Sequence, residues 1–288
     1  MAAQVVVYQV PGLRRSLIVT EAMRAGIERV GDAVVVRSAL QYRAPDEPTA
    51  VFYGLAHRLH LALKQHATDL SRRAVYIDLG YWARRDGGRF LGFHKISVDA
   101  RHPTAYFQRR SHDSSRIEAL GQAMEEWRGP GRHILLAGMG PKAALVEGFP
   151  QNGWERDAIA QIRKVSDRPI IFRPKPSDAG AQPVAGTTFD RTFKTGPLAP
   201  LLENCHAIVT HHSNVGVEAL QAGVPVFTAE GVALPLGLAD LSRIETPKQP
   251  SDAERMQWLA DVAWCQWSVA EMAEGLPWRH LKDEGLVP

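Results

Sequence analysis

The sequence predicts an α/β protein of two successive units, each an open, mostly parallel sheet with helices between its strands. Three observations carry this. Short apolar runs alternate with helical-period segments from Gln4 to Asp78. A cluster of breakers, Arg128-Gly-Pro-Gly131, then interrupts the chain. A second alternation starts at His133 and ends in the densest strand–turn–helix–strand signal of the sequence, Leu198 to Glu230.

Taken in order, Gln4–Gln9 reads as a buried strand. After the Pro11-Gly12 turn, Leu13 to Arg29 places Leu17, Ile18, Ala22 and Ile27 on one helical face. Gly31-Asp32 ends that helix, and Ala33 to Val36 is a second strand. A polar, proline-bearing loop (41–49) leads to a strand at Val51–Tyr53, a basic helix at His57–Leu70 and a fourth strand at Ala74–Asp78. Ala83 to Gly88 is a charged turn, and Phe90 to Val98 is a strand in a hairpin setting. Asp113 to Trp127 has the cap and spacing of a helix. In the second unit, His133–Ala137 is a strand running into Gly138-Met-Gly140-Pro141. Trp154–Val165 is a helix, Pro169–Phe172 a strand, and a short strand lies near Thr187 to Phe189. The dense stretch contributes a turn (Pro200 to Asn204), a strand (His206–Thr210), a small-residue helix (Val215–Gln221) and a strand (Val224–Phe227). Ala253 to Ala273 is a long helix carrying Trp258, Trp264 and Trp267. The expected domains are 1–128, 132–250 and a C-terminal segment, 251–288, that packs back on the first.

With 45% hydrophobic and 23% charged residues in 288, the composition is that of a soluble globular protein with ample core. No run of about 18 apolar residues suggests a membrane span, and the N-terminal stretch lacks the pattern of a signal peptide. Cys205 and Cys265 are the only cysteines. They are expected to be buried thiols in a reducing, cytoplasmic setting (a bacterial or phage-infected cell), and no Cys–His spacing suggests zinc. Residues 1–150 hold 21 Lys+Arg against 14 Asp+Glu, while 151–288 hold 13 against 17. A basic first half is either a solvated face or a surface for an anionic partner.

Ligands of open parallel sheets sit beyond the carboxyl ends of the strands. In the second unit those positions hold Gly138 and Gly140, Arg173 and Lys175, and His211, Ser213 and Asn214, with Glu218 one helical turn behind. Glycines admit close backbone approach, Arg and Lys neutralise phosphate, and a helix start offers free amides. Glu218 could accept two ribose hydroxyls. Together these residue types fit a nucleotide diphosphate. Taken singly, Ser213 or Asn214 could be a helix cap, Gly138–Gly140 an ordinary turn, and Arg173 and Lys175 surface residues.

These same residues carry a resemblance. LLENCHAIVTHHSNVGVEALQAGVPVF resembles the nucleotide-binding segment of GT-B glycosyltransferases, and Phe172-Arg-Pro-Lys-Pro176 is similar to the arginine–proline segment of bacterial capsule (Kdo-type) transferases. The likeness covers about residues 133–230; the first half matches by architecture alone. It implies two Rossmann-like domains facing across a cleft, with the C-terminal helix crossing back. It also implies a nucleotide-sugar donor, a UDP-sugar first, and no tightly bound cofactor. Carried over by position, Glu218 would bind the ribose, Ser213 and Asn214 the diphosphate, and Arg173 or Lys175 would balance its charge. The short first domain and the histidines at 211 and 212 depart from the family pattern. Sugar-nucleotide 2-epimerases carry a similar segment, so epimerisation or hydrolysis stays open, as does a non-catalytic nucleic-acid-binding role. The chain has no Asp-x-Asp triplet, the pattern of the metal-dependent GT-A class, which points to a metal-free site.

The catalytic base should come from the first domain. Asp78, at a strand end beside Gly80, is the first candidate; Asp99 and His102 follow, then His94 and His112. Asp78 as a turn cap and His102 as a plain loop residue are the alternatives. Arg84, Arg85, Arg101, Arg109, Arg110 and Arg116, with Tyr81, Trp82, Tyr106 and Phe107 nearby, could meet a nucleic-acid backbone and stack on a displaced base. The segments GYW and RHPTAYF are similar to phage-encoded transferases that decorate hydroxymethylated DNA bases, which makes double-stranded DNA a candidate acceptor. A saccharide or small-molecule acceptor is the alternative.

Overall fold

The structure, a computed structural model, describes residues 4–44, 46–56, 58–69, 71–104 and 111–288. It divides into two compact units, Met1–Pro103 with Val262–Pro288, and Thr104–Asp261.

In unit 1 the strands are Gln4–Gln9 (β1), Ala33–Ser38 (β2), Thr49–Tyr53 (β3), Arg73–Leu79 (β4) and Phe93–Val98 (β5). Helices Arg14–Val30 (α1) and Leu59–Ala67 (α2) connect them. β1 to β4 form a parallel sheet in the order β2-β1-β3-β4, and β5 adds antiparallel to β4. β3 is buried at every position, as a central parallel strand covered on both faces must be. Val5, Val7, Val51, Val75 and Ile77 pack against Met23 and Ile27 of α1, while Val6, Tyr8, Phe52 and Tyr76 face Leu59 and Ala62 of α2.

Unit 2 begins with Ser115–Ala119 (α3). Its strands are His133–Ala137 (β6), Ile170–Arg173 (β7), Thr188–Phe189 (β8), Cys205–Thr210 (β9) and Val226–Thr228 (β10). Helices Pro141–Glu147 (α4), Gly153–Ile162 (α5), Ala199–Leu202 (α6) and Val215–Gln221 (α7) lie between them. The all-parallel order is β8-β7-β6-β9-β10. The chain therefore steps outward one way from β6 to β8, then restarts beside β6 at β9. That reversal is where an open sheet leaves a crevice beyond its carboxyl ends.

Two expected helices differ. Asp113–Trp127 forms only the short α3; Gly121 then turns left-handed (φ 60°), and 122–128 forms no helix. Glu125 and Arg128 donate backbone bonds to the carbonyls of Gln221 and Gly223, and the buried Arg255 guanidinium donates to those of Glu125 and Leu220. Pairing with the end of α7 outweighs local helix propensity. This also joins 111–127 to unit 2, so the units divide at Pro103 rather than near Arg128. The long helix expected over 253–273 is three elements: Asp252–Trp264 (α8), a strand Gln266–Ser268 (β11) and Val269–Ala273 (α9). β11 pairs antiparallel with β5, and Ser268 with Glu271 forms a capping box that restarts the helix. Leu276–Asp283 (α10) closes the chain. Its Trp278 is fully buried in the unit 1 core and donates its indole N–H to Asp32 at 2.7 Å.

Candidate active site

In unit 2, register aligns Ala137 of β6 with Thr210 of β9 on one side and Arg173 of β7 on the other. The loops after these three strands therefore emerge side by side. Gly138 donates its N–H to the Arg173 carbonyl at 2.9 Å, and a Cβ at Gly138 would stand 3.0 Å from the Phe172 ring. Gly140 is left-handed (φ 80°) and lies against the Lys175 stem, 3.2 Å from where its Cβ would be. The glycines are thus required by packing and backbone conformation, and Lys175 is exposed beside them. Glu155, buried in the first turn of α5, accepts the Met139 N–H at 2.8 Å and pins the loop. Its sequence signal was only an acidic residue at a helix start.

The turn after β9 is held by side chains. Thr210 Oγ1 accepts the Ser213 N–H at 3.1 Å, and Ser213 Oγ accepts the Val215 N–H at 3.3 Å. Ser213 thus has a local turn-closing role, whereas Asn214, at the N-cap of α7, makes no side-chain cap bond. Glu218 lies one turn on, half-buried. His211 is buried between the Phe149 and Trp154 rings (5.8 and 5.7 Å), and its Nδ1 is 2.8 Å from that of His212. Ala233 packs on Gly216 so closely that a Cβ there would stand 2.8 Å from the Ala233 Cβ. Arg173 is committed to structure: its guanidinium donates to Asp190 and to the Gly196 carbonyl, both at 2.5 Å. It braces the 190–196 loop, a partner the proline-flanked sequence did not reveal.

In unit 1, Asp78 occupies the carboxyl end of β4. Its Oδ2 accepts the Tyr76 hydroxyl (3.0 Å) and its Oδ1 the Leu79 N–H (2.8 Å). Lys95 is directly across the ladder on β5, buried, with Nζ 3.2 Å from His102 Nδ1 and 5.8 Å from the Tyr81 ring centroid. Lys95, a residue that sequence reading missed, is thus in register with Asp78 and in contact with His102; a lone Lys in an apolar strand carries no local signal. Asp99 sits at the other end of β4. It is left-handed (φ 58°), and its Oδ1 accepts the Ala74 N–H at 2.7 Å. Burial raises its pKa, and the geometry is that of a turn-closing carboxylate. His94 is fully buried, with Nδ1 bonded to the Gly92 carbonyl; burial lowers its pKa to about 4 and keeps it neutral. His112 belongs to unit 2, where Nδ1 meets Asp261 at 3.0 Å.

Arg84 donates to the Tyr81 carbonyl, and Arg85 donates to that of Gly88 and covers the Phe90 ring at 4.0 Å, so both brace their own turn. Burial first, and then Asp78, push the Tyr76 phenol well above its ordinary pKa, and the charge of nearby Arg101 only partly opposes this. Arg109 and Arg110, with Tyr106 and Phe107, lie outside the described residues. Among the described residues no cluster of three or more His, Cys, Asp or Glu could hold a metal, and no helix is long and apolar enough to cross a membrane. Cys205 is a buried free thiol, pushed up to about 12 by burial.

No family model matches this sequence, and no curated protein matches it. Solved structures of KpsC from Thermosulfurimonas dismutans are similar in fold. Its β-Kdo 2,7 transferase is 13% identical at a TM-score of 0.57, over 96% of this chain and 99% of that one. Its β-Kdo 2,4 transferase is 13% identical at a TM-score of 0.51, over 90% of each. The chain has the GT-B glycosyltransferase fold. At this identity the likeness concerns architecture, and it agrees with two parallel-rich sheets in one chain.

Proposed function

We propose that the chain is a glycosyltransferase that moves a sugar from a nucleotide-sugar donor to an acceptor hydroxyl. The observation that carries this is the convergence of the Gly138–Gly140 loop, Lys175 and the Ser213–Asn214 turn where the unit 2 sheet reverses. In this reading the loop amides meet the donor phosphates, Lys175 offsets their charge and Glu218 accepts from the ribose. Arg173 supports the loop through Asp190 instead of touching the donor. Asp78 is the proposed base. The acceptor oxygen bonds to the anomeric carbon as the bond to the leaving phosphate breaks. The electron pair departs with the nucleotide, and the acceptor proton passes to Asp78. The missing Asp-x-Asp triplet supports leaving-group stabilisation by amides and cations, without a metal. The similar structures are named as Kdo transferases, which supports sugar transfer as the reaction class. Engagement of Arg84 and Arg85 in their own turn supports a saccharide hydroxyl over a hydroxymethylated DNA base; duplex binding that weakens steeply with salt would reverse that choice.

A panel of UDP- and CMP-sugars tests the reading. A donor near 100 times its Kd should stabilise the protein by about 2.7 kcal/mol, roughly 5–10 °C in Tm. No response to any nucleotide sugar would sink it. Turnover of the nucleotide sugar without acceptor would favour an epimerase or hydrolase.

A further inference from the structure

We infer that unit 1 holds an oxyanion site at the start of α1, built on Arg15 and Tyr53, and that the acceptor is a saccharide whose carboxylate or phosphate binds there. The anion site stands on unit 1 alone; its assignment to the acceptor rests on the glycosyltransferase reading. β1, β3 and β4 are parallel neighbours, so the loops that follow them leave the same end of the sheet. Those loops and the helix starts they lead into carry Arg14, Arg15, Arg58, Arg84, Arg85 and Arg89, against Asp86 and the strand-end Asp78. Arg84 and Arg85 are engaged in their own turn. The side chains of Arg14, Arg58 and Arg89 have no partner among the described residues. Elsewhere in unit 1, Arg24, Arg37, Arg72 and Arg73 each meet a carboxylate.

Helix starts favour acidic residues, because the free amides and the dipole there are positive. α1 reverses this. Arg14 and Arg15 open its first turn, which has no acidic residue and no side-chain cap. The N–H groups of Arg14, Arg15 and Ser16 have no acceptor among the described residues. α2 likewise starts at Arg58 with no cap and no acidic residue in its first turn. Tyr53 is 5% exposed, and its oxygen accepts an Arg15 N–H at 3.3 Å. Burial pushes the phenol up to about 12, so it keeps its proton, and that O–H has no acceptor among the described residues. A buried donor, a guanidinium and free amides at one helix start are the groups an oxyanion takes up together. A sequence that breaks the charge rule at a helix start does so for a ligand more than for the fold. The rings nearby favour a saccharide over a nucleic acid: Arg15 and Arg85 cover Phe90 at 5.3 and 4.0 Å, and Tyr81 and Trp82 are buried, which leaves a base no face to stack on.

Titration calorimetry on the full chain tests this with tetragalacturonate and its neutral methyl ester, and with glucose 6-phosphate and glucose. The anionic member of at least one pair should bind about tenfold or more tighter than its neutral counterpart, and weaken as salt rises. Which pair responds separates carboxylate from phosphate. Arg15→Gln should lose that preference while nucleotide sugar still stabilises it; should it not fold, the exposed Arg58→Gln should weaken the same binding. Arg14→Glu should also weaken anion binding, yet raise Tm by about 1–3 °C, because an acidic residue suits a helix start. No binding of either anion, equal affinity for charged and neutral members, binding unchanged in Arg15→Gln and Arg58→Gln, or a lower Tm in Arg14→Glu overturns the site. Duplex DNA bound more tightly than both anionic saccharides overturns the saccharide. An intact anion preference in a protein that binds no nucleotide sugar defeats the transferase reading and leaves the site standing.

Discussion

Replacing Asp78 with asparagine removes the charge that receives a proton and little volume. kcat/KM should fall by roughly 10²–10⁴ while donor-induced stabilisation persists, which separates chemistry from binding in paired turnover and thermal-shift assays. Glu218→Ala should do the reverse, abolishing the nucleotide-induced Tm shift. Three buried titratable groups in unit 1 set a pH response. Burial lowers His66 and His94 from 6.5 to about 4. Their neutral forms stabilise the fold fully above pH 6.5, and that stability is lost as pH falls from 6.5 to about 4. Glu47 acts oppositely: burial lifts its carboxyl to about 7, so its contribution is full below about 4.5 and lost as pH rises toward 7. Thermal melts from pH 7 to 4 should show acid destabilisation, steeper in Glu47→Gln, where the opposing group is gone. At this scale the positions of Asp78 at a strand end and of Ser213 and Glu218 at a helix start were legible, because strand ends and helix starts leave local marks. Glu155 and Asp190 were not, since a partner 16 or 17 residues away defines each, and Lys95 was not, since its place is set by the strand register.

Strand alternation and helix period located most elements of both units, because side-chain direction repeats every two or 3.6 residues whatever the chain does later. The failures are where a tertiary partner competes with local propensity. Residues 122–128 are helix-compatible in composition, yet contacts with α7, Gly223 and Arg255 hold them out of a helix. A Cβ at Gly223 would stand 1.9 Å from the Glu126 carbonyl oxygen. Arg255 is 1% exposed, lies 4.1 Å from the Trp127 ring and bonds two carbonyls. Arg255→Ala leaves those carbonyls short of a donor and a cavity beneath Trp127, so unfolding free energy of unit 2 should drop by about 2–4 kcal/mol in urea titration. Likewise the tryptophans at 258, 264 and 267 suggest one helix face, but β5 needs an outer partner for its backbone groups, and Gln266–Ser268 supplies it.

At the scale of the molecule, the last 27 residues belong to the first unit. Trp278, Leu281 and Met272 complete the core beneath α1, and a side chain at Gly26 would meet the Met272 carbonyl oxygen at 1.9 Å. Trp278→Ala should therefore cost about 3–5 kcal/mol, and proteolysis should then attack unit 1 before unit 2. Composition and pattern were enough for the α/β class, two units, the glycine loop after β6 and the turn after β9, because these depend on neighbours within a few residues. Strand order, the reversal between β6 and β9, the return of the C-terminus, and the register of Asp78 against Lys95 depend on contacts between distant segments. Burial and backbone hydrogen bonding reward those contacts only when the whole chain is in place, so no local stretch encodes them alone.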